Sequence, residues 1–296
     1  RAIGSICSNL AAHQRKGLLV MATGTGKTRM AIALVDLLQR ANWAKRVLFL
    51  ADRVSLVNQA ANAFKIHLPD SSPVNLVTEK DTEGRVYVST YPTMMGLINE
   101  TKGNAARFGV GHFDLIIIDE AHRSLAKSYM NVIEHFKTAK LLGVTATADR
   151  GDQKSLGKLY ESIAFEYGIL EACRDGYLVP PIAKTLPLKI DLTKLKPTKG
   201  RTGDFKATDV ADTIEPFIYE IAGELKKIND ADPRCTMIFL PSVDLAEMMT
   251  DALRGHGIEA DFVCGDRARC PDRSDRLARF ASGETKFMSN AMLLTE

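Results

Sequence analysis

The sequence predicts an α/β protein with parallel sheets, and three observations carry that prediction. Over about the first 170 residues, short apolar segments alternate with helical periodicity, which is the pattern of βαβ units. Several segments are apolar throughout, as expected of strands that helices cover on both faces. A second, shorter βα pattern follows a stretch with little periodicity. We therefore expect domains at 1–175 and 231–296, with a linker or insertion at 176–230.

The strands of the first domain are predicted in order along the chain. The apolar runs that predict them are residues 18–20, 47–50, 74–77, 86–89, 115–118 and 141–144. A helix is expected over 30–38, where apolar residues recur at helical spacing. Polar clusters follow most of the runs, and ligands bind parallel sheets at the carboxyl ends of strands. These clusters therefore predict an active face at one rim of the sheet.

The linker begins at Pro180 and Pro181, which end any helix and favour extended chain. An amphipathic helix is expected over 214–228, although Pro216 lies near its start. The second domain is then predicted from strands at 236–240, 260–263 and 286–290 and helices at 243–254 and 272–281.

Composition excludes some classes of protein. The 296 residues are 45% hydrophobic and 25% charged, which is typical of a globular chain. No apolar run approaches the roughly 20 residues that cross a bilayer, so we expect no membrane partner and a cytoplasmic or nucleoid-associated protein. The net charge of +3 permits a polyanionic partner without demanding one. The five cysteines lack metal-site spacing and are expected to be reduced thiols.

Residues 21–28 read Met-Ala-Thr-Gly-Thr-Gly-Lys-Thr, between a predicted strand and a predicted helix. This is the context that a phosphate-binding loop requires, with backbone N–H groups and the helix N-terminus facing the phosphates. Lys27 can reach the β- and γ-phosphates, and the Thr28 hydroxyl can ligate Mg²⁺. Met21 departs from the usual Ala or Gly, but the adjacent Ala22 is small, so the loop is expected to form. The candidate phosphate-binding residues are Thr23, Gly24, Thr25, Gly26, Lys27 and Thr28.

A second motif, Asp119-Glu120-Ala121-His122, follows the apolar run 115–118. Asp119 ends a buried strand, where its carboxylate can hold the same Mg²⁺ as Thr28. Glu120 is placed to orient or deprotonate the attacking water. The two motifs, in this order and each at a strand end, predict a nucleotide triphosphatase site that uses ATP and Mg²⁺.

Together the motifs resemble superfamily 2 helicases and translocases. They are most similar to the branch that holds the motor subunits (Res) of type I and type III restriction enzymes and related DEAH-type DNA repair helicases. Residues 21–28 and 119–122 resemble motifs I and II. The other similar segments are 49–60 (motif Ia), 88–94 (a segment that contacts the nucleic-acid backbone), 143–147 (motif III), 238–242 (motif IV) and 290–296 (the first half of motif V).

The resemblance implies tandem RecA-like domains, the second incomplete, with ATP in the cleft and single-stranded nucleic acid crossing both. It assigns catalysis to Lys27, Asp119, Glu120 and His122. It assigns coupling of ATP to nucleic acid to His122, Thr145, Ala146 and Thr147. Nucleic-acid contacts are expected from Arg53, Ser89, Thr90, Thr93 and Ser242.

The resemblance also implies that the adenine-reading glutamine precedes Arg1 and that the arginine fingers follow Glu296. We therefore expect a chain truncated at both ends, which binds Mg-ATP but hydrolyses it slowly by itself. Residues 231–296 are expected to be less stable than 1–175, because a shortened sheet leaves strand edges uncovered.

The leading interpretation is an ATP-dependent DNA helicase or translocase, with partner subunits if it works in a restriction or repair complex. DNA is favoured over RNA because residues 49–60 lack the Pro-Thr-Arg-Glu-Leu form of DEAD-box RNA helicases. Two alternatives stay open: an RNA helicase with the same ATP site, and an ATP-gated nucleic-acid-binding subunit with little turnover.

Overall fold

The structure is a computed structural model that describes residues 1–102, 105–124, 127–146, 156–193, 195–197 and 205–291. It divides into two compact units, Arg1–Pro181 and Ile182–Glu296. The finer division into 1–175, 176–230 and 231–296 stays a prediction.

The first unit is built on parallel strands with helices on both sides. Its strands are β1 (Lys16–Met21), β2 (Val47–Ala51), β3 (Pro73–Asn75), β4 (Val86–Thr90), β5 (Thr101–Lys102), β6 (Ala105–Ala106), β7 (Leu115–Asp119), β8 (Lys140–Thr145) and β9 (Ser162–Tyr167). Its helices are α1 (Ala2–Ala11), α2 (Lys27–Arg40), α3 (Val54–His67), α4 (Tyr91–Ile98), α5 (Lys127–His135) and α6 (Ile169–Arg174). Strands β5 and β6 pair only with each other, antiparallel.

The other seven strands form one sheet in the order β3-β4-β2-β7-β8-β1-β9. Every neighbouring pair is parallel, so all carboxyl ends lie at one rim. Along that rim, consecutive strands β4, β2, β7, β8 and β1 end at Thr90, Ala51, Asp119, Thr145 and Met21. The strand order therefore brings together segments that are far apart in the sequence.

Side-chain alternation along the strands divides the core into two layers. Leu18 and Val20 of β1 contribute to one layer, and Leu19 and Met21 to the other. The first layer includes apolar residues of α4 and α5, and the second includes those of α2 and α3. Burial on both faces explains why these strands are apolar throughout.

The second unit has a smaller parallel sheet, in the order β10-β12-β11. Its elements are α7 (Ala207–Ile214), α8 (Ile218–Ala231), β10 (Thr236–Leu240), α9 (Val243–Gly255), β11 (Ala260–Cys264), α10 (Arg273–Ser282) and β12 (Phe287–Ala291). Ile218 of α8 and Leu253 of α9 share a buried core with Val263 and Met288 of the sheet.

The α/β prediction with parallel sheets is confirmed, but the single helix over 214–228 is wrong. Instead, α7 ends at Ile214, a 3₁₀ turn spans Glu215–Phe217, and α8 begins at Ile218. Pro216 explains the break because it lacks an N–H, and its ring clashes with the carbonyl one turn earlier. None of the helices in the described ranges is long and apolar enough to cross a membrane.

Candidate active site at the rim of the first sheet

The phosphate-binding motif forms the loop between β1 and α2. Gly24 and Gly26 have φ angles of +84° and +88°, a backbone region that favours glycine. Gly26 is also the N-cap of α2, so the first-turn N–H groups of that helix have no helical acceptors. The Thr25 hydroxyl folds back and donates to the Ala22 carbonyl at 2.6 Å. Lys27, half-buried, begins α2 at the position where the helix dipole favours an anion.

The base of this loop is anchored on both sides. Met21, the residue that departs from the usual pattern, is buried in the second core layer, so the sheet accommodates its larger side chain. The Ala22 N–H donates to the Tyr167 carbonyl of β9 at 3.0 Å. On the other side, a β-carbon at Gly24 would lie 3.2 Å from Leu178 Cδ2. The segment after α6 therefore packs against the phosphate-binding loop.

Asp119 is the last residue of β7, two strands from β1 in the sheet. Burial raises the pKa of its carboxyl group, and the charge of Glu120 raises it further. Lys27 and the Glu120 N–H, which donates to Asp119 Oδ1 at 3.2 Å, act in the opposite direction on the pKa. A cation bound beside Asp119 would favour its charged form.

Glu120 adopts a left-handed conformation with φ +52° and ψ +53°. The turn that follows is closed by the Arg123 N–H, which donates to the Glu120 carbonyl at 3.0 Å. His122 Nδ1 lies 3.4 Å from Glu120 Oε2 and 3.2 Å from Thr145 Oγ1. The His122 imidazole therefore lies between the Glu120 carboxylate and the hydroxyl of Thr145, the last residue of β8.

Motif III (143–147) is also connected to motif II (119–122) through Ser124 and Tyr160. The Ser124 hydroxyl donates to the Ala121 carbonyl at 2.6 Å, and it lies 3.4 Å from the Tyr160 hydroxyl. The ring of Tyr160 packs directly over Gly143, where an added β-carbon would be 2.4 Å from Tyr160 Cζ. Gly143 is thus needed for close approach of an aromatic ring to strand β8.

Gly143→Ala is expected to lower the free energy of unfolding by about 1–3 kcal/mol, because the methyl group overpacks a filled site. Thermal denaturation of wild type, Gly143→Ala and the control variant Gly96→Ala measures this loss of stability. Gly96 lies in α4 with open space at its β-carbon position, so that change should be neutral or stabilising. An unaltered melting temperature in Gly143→Ala would contradict the close approach.

The predicted nucleic-acid residues of the first unit lie at the rim beyond motif II. Thr90 is the N-cap of α4: its Oγ1 accepts from the Thr93 N–H at 3.3 Å and donates to Thr93 Oγ1 at 2.9 Å. Arg53, half-buried, is the N-cap of α3. Ser89, by contrast, is 0% exposed, and its hydroxyl donates to the Thr90 carbonyl at 3.0 Å. In this arrangement Ser89 has no surface available to a ligand.

The other predicted site residues are Ala146, Thr147 and Ser242. Ala146 follows Thr145 and is half-buried, whereas Thr147 lies outside the described residues. Ser242 belongs to the second unit, where it caps α9 by accepting the Leu245 N–H at 3.2 Å.

Two residues that the sequence reasoning did not select also lie at this rim. Asp52 is the residue after β2, and it accepts hydrogen bonds from the Arg123 guanidinium and from the Tyr129 hydroxyl. The available signal was their position, since Asp52 lies inside motif Ia and Arg123 directly follows motif II.

Known proteins are similar to this chain in sequence and in fold. A family profile described as "Type III restriction enzyme, res subunit" matches residues 1–150. The type I restriction enzyme EcoAI endonuclease subunit of Escherichia coli is 30% identical over 86% of this chain and 33% of its own length. A Saccharomyces cerevisiae protein assigned as the ATP-dependent helicase IRC3 is 26% identical over 93% of this chain and 41% of its own.

Among solved structures, a fragment assigned to the HsdR subunit of a type I restriction enzyme from Vibrio vulnificus has the same fold. Its TM-score is 0.69 at 22% identity, covering 99% of this chain and 53% of that one. The chain thus spans a third to two fifths of the length of the two curated relatives. The profile match over half of the chain and the identity to the EcoAI subunit confirm the resemblance drawn from the motifs. The chain belongs to the type III restriction enzyme res subunit family, within the superfamily 2 helicases.

Proposed function

We propose that this chain is the ATP-hydrolysing part of a motor that moves along nucleic acid, with DNA as the track. One observation carries the proposal: strand order in the first unit places the phosphate-binding loop, motif III, motif II and the motif Ia segment at consecutive strand ends. A single rim then holds both the residues suited to a nucleotide and those suited to a phosphate backbone. Such proximity is what coupling between ATP hydrolysis and movement requires.

The residues of the loop and of motif II fit a magnesium nucleotide. The Thr28 hydroxyl and the Asp119 carboxylate are oxygen ligands, which Mg²⁺ prefers, and Mg²⁺ is ordinarily held by one or two carboxylates together with substrate phosphates. Burial and the charge of Glu120 raise the pKa of Asp119, and a cation bound beside it would offset both effects. When bound, the metal would neutralise charge that develops on the phosphates. Lys27 would bind the β- and γ-phosphates.

Glu120 is proposed to act on the attacking water. His122 is proposed to couple ATP hydrolysis to nucleic-acid binding. Glu120 would orient the water or accept its proton, and its left-handed backbone sets the direction in which the side chain leaves the turn. His122 contacts both Glu120 and Thr145, so a shift at the end of β8 would reach Glu120 through one imidazole ring. We propose Thr145, Ala146 and Thr147 as the coupling segment on this basis.

Nucleic acid is proposed to bind at the rim beside β2 and β4, through Arg53, Thr90 and Thr93. Hydroxyl and guanidinium groups at strand ends suit phosphate contacts, which position a strand without reading its sequence. Ser242, in the second unit, is proposed separately as a nucleic-acid contact. DNA is proposed over RNA because residues 49–60 lack the Pro-Thr-Arg-Glu-Leu form of DEAD-box RNA helicases. The word "subunit" in the names of the restriction-enzyme relatives favours partner chains in a larger complex.

The proposal predicts nucleic-acid-stimulated ATPase activity with strong salt dependence. Titrating the full-length protein with single-stranded DNA, duplex DNA and RNA identifies the track, and stimulation by DNA above RNA is expected. Affinity for single strands should fall with salt at a log–log slope of about −0.7 per phosphate neutralised. Arg53→Ala should make that slope shallower by about 0.7, because one phosphate contact is lost.

The same titrations separate the proposed function from the two alternative functions. Stimulation by RNA alone would identify an RNA helicase, and tight nucleic-acid binding without turnover would identify an ATP-gated binding subunit. A salt-insensitive affinity, or a strong preference for one short sequence, would contradict a translocating motor. Lys65→Ala is the charge-matched control for Arg53→Ala, because Lys65 lies at the far end of α3 and pairs with Glu79 at 2.7 Å.

A further inference from the structure

Asp52 joins three segments of the rim through one carboxylate. Its Oδ2 accepts a hydrogen bond from Arg123 Nη1 at 2.5 Å, and its Oδ1 accepts one from the Tyr129 hydroxyl. Asp52 lies between β2 and α3, Arg123 follows motif II, and Tyr129 is on α5. We call Asp52, Arg123 and Tyr129 the Asp52 bridge. Both carboxylate oxygens are used, so a change at one partner alters the position available to the other.

One end of the Asp52 bridge reaches the proposed catalytic glutamate. The Arg123 N–H donates to the Glu120 carbonyl and closes the turn in which Glu120 has φ +52°. A left-handed glutamate costs free energy and persists only where its surroundings hold it. The pairing of the Arg123 side chain with Asp52 is therefore one of the constraints on this turn. The side chain of Asp52 is only 18% exposed, so solvent screens this ion pair less than it would a surface pair.

The other end reaches the proposed nucleic-acid residues. The ring of Tyr129 lies against Tyr91, with centroids 3.7 Å apart and planes at 82°. Tyr91 directly follows Thr90 and begins α4. Burial raises the pKa of Tyr91 well above its usual range, and Asp52 and Asp119 are among the charges that add to this effect. Asp52 itself is next to Arg53. Peptide bonds and side-chain contacts together therefore connect Arg53 and Thr90 to Glu120.

We propose that Asp52 is a positioning residue, which transmits nucleic-acid binding at Arg53 and Thr90 to the orientation of Glu120. The inference rests on the proposed function, because it assumes that Glu120 acts in ATP hydrolysis and that nucleic acid binds at this rim. Asp52 touches neither ligand and acts through Arg123 and Tyr129. It forms a route separate from the His122–Thr145 contact, which reaches the Glu120 carboxylate rather than the Glu120 backbone carbonyl.

Asp52→Asn in the full-length protein tests this role by separating coupling from binding. The amide keeps the size of the side chain but loses the charge that pairs with Arg123. We expect the dissociation constant for Mg-ATP to stay within about twofold of wild type, whereas maximal stimulation by DNA falls about tenfold, within the usual range of coupling between sites. The DNA concentration at half-maximal stimulation should change much less than the maximum. A residue needed only for stability would lower the amount of folded protein without this split.

Two further variants test the bridge itself. Arg123→Gln should reproduce the loss, and the double variant Asp52→Asn/Arg123→Gln should lose no more than the worse single change, because both remove one interaction. Tyr129→Phe keeps the ring against Tyr91 but removes the hydroxyl bond, so a partial loss is expected. Glu79→Gln is the control, because it breaks the 2.7 Å ion pair between Glu79 and Lys65 of α3, which includes no residue of the Asp52 bridge, and it should leave stimulation unchanged.

A second measurement does not depend on nucleic acid. Binding of a non-hydrolysable ATP analogue should slow hydrogen exchange in wild-type peptides that cover residues 53–61, at the start of α3, and Asp52→Asn should abolish that slowing. Equal slowing in Asp52→Asn, or none in wild type, would overturn the inference. If no nucleic acid stimulates the wild-type ATPase, the proposed function fails, and the exchange result still decides whether Asp52 connects motif II to α3.

Discussion

Lys27→Ala is expected to abolish ATP turnover and to weaken Mg-ATP binding by about 10- to 100-fold. Lys27 begins α2, directly after the left-handed Gly26, where it can reach the phosphates. Hydrogen bonds to charged groups contribute about 1.5–3 kcal/mol, which corresponds to that range of affinity. Calorimetry with an ATP analogue and a coupled ATPase assay on the full-length protein measure the two effects separately.

The control for this change is Lys65→Ala, which removes an ammonium group from α3 rather than from the loop. It should leave both nucleotide affinity and turnover unchanged. Wild-type affinity in Lys27→Ala would show that the phosphates do not bind at the start of α2. A fall in both variants would point to a general effect of charge or stability.

Glu120→Gln is expected to retain Mg-ATP while turnover falls by about 10²–10⁴-fold, the usual contribution of a general base. Glutamine has the same shape and branching as glutamate, so the left-handed backbone at φ +52° is no more strained in the variant. Lys27, Thr28 and Asp119 keep the groups proposed to hold the phosphates and the metal. Only the group proposed to act on the water is lost.

Single-turnover measurements with the protein in saturating excess over ATP test this expectation, with the dissociation constant measured in parallel. Glu134→Gln is the control, because Glu134 is exposed on α5 and lies away from the rim. Wild-type turnover in Glu120→Gln would rule out the role assigned to Glu120. Loss of binding together with turnover would instead indicate that Glu120 holds the nucleotide, directly or through His122.

Together the two variants distinguish the roles that the sequence motifs predict for Lys27 and Glu120. If Lys27→Ala loses affinity and Glu120→Gln does not, the loop binds and motif II acts on the water. Because His122 contacts Glu120 at 3.4 Å and Thr145 at 3.2 Å, the same assays on His122→Ala extend the comparison to the coupling segment.

Much of the fold follows from local patterns. Strand β10 matches the prediction at both ends, and most of the other predicted strands differ by only one or two residues. Continuous apolar runs are easy to recognise when both faces of a strand are buried. Edge strand β9 was not predicted, because most of its residues are only half-buried and Glu166 interrupts its apolar residues. The helix over 214–228 failed because its periodicity masked the effect of Pro216.

The sequence by itself determined which chemical groups are available: a glycine loop before Lys27, a carboxylate pair at 119 and 120, and polar residues where strands end. These are local properties, set by spacing and by the period of each element. Only the tertiary structure decided which groups are neighbours. The order β4-β2-β7-β8-β1 places motif II between Asp52 and Thr145, which are 93 positions apart in the chain.

The Asp52 bridge, the His122–Thr145 contact and the packing of Tyr160 over Gly143 all depend on that order. They join residues with no periodic relation in the sequence, because pairing in a parallel sheet is set by long crossover connections rather than by local spacing. The residues proposed for chemistry could therefore be found from motifs. The residues proposed to position them, Asp52 above all, required knowledge of which strand ends are adjacent.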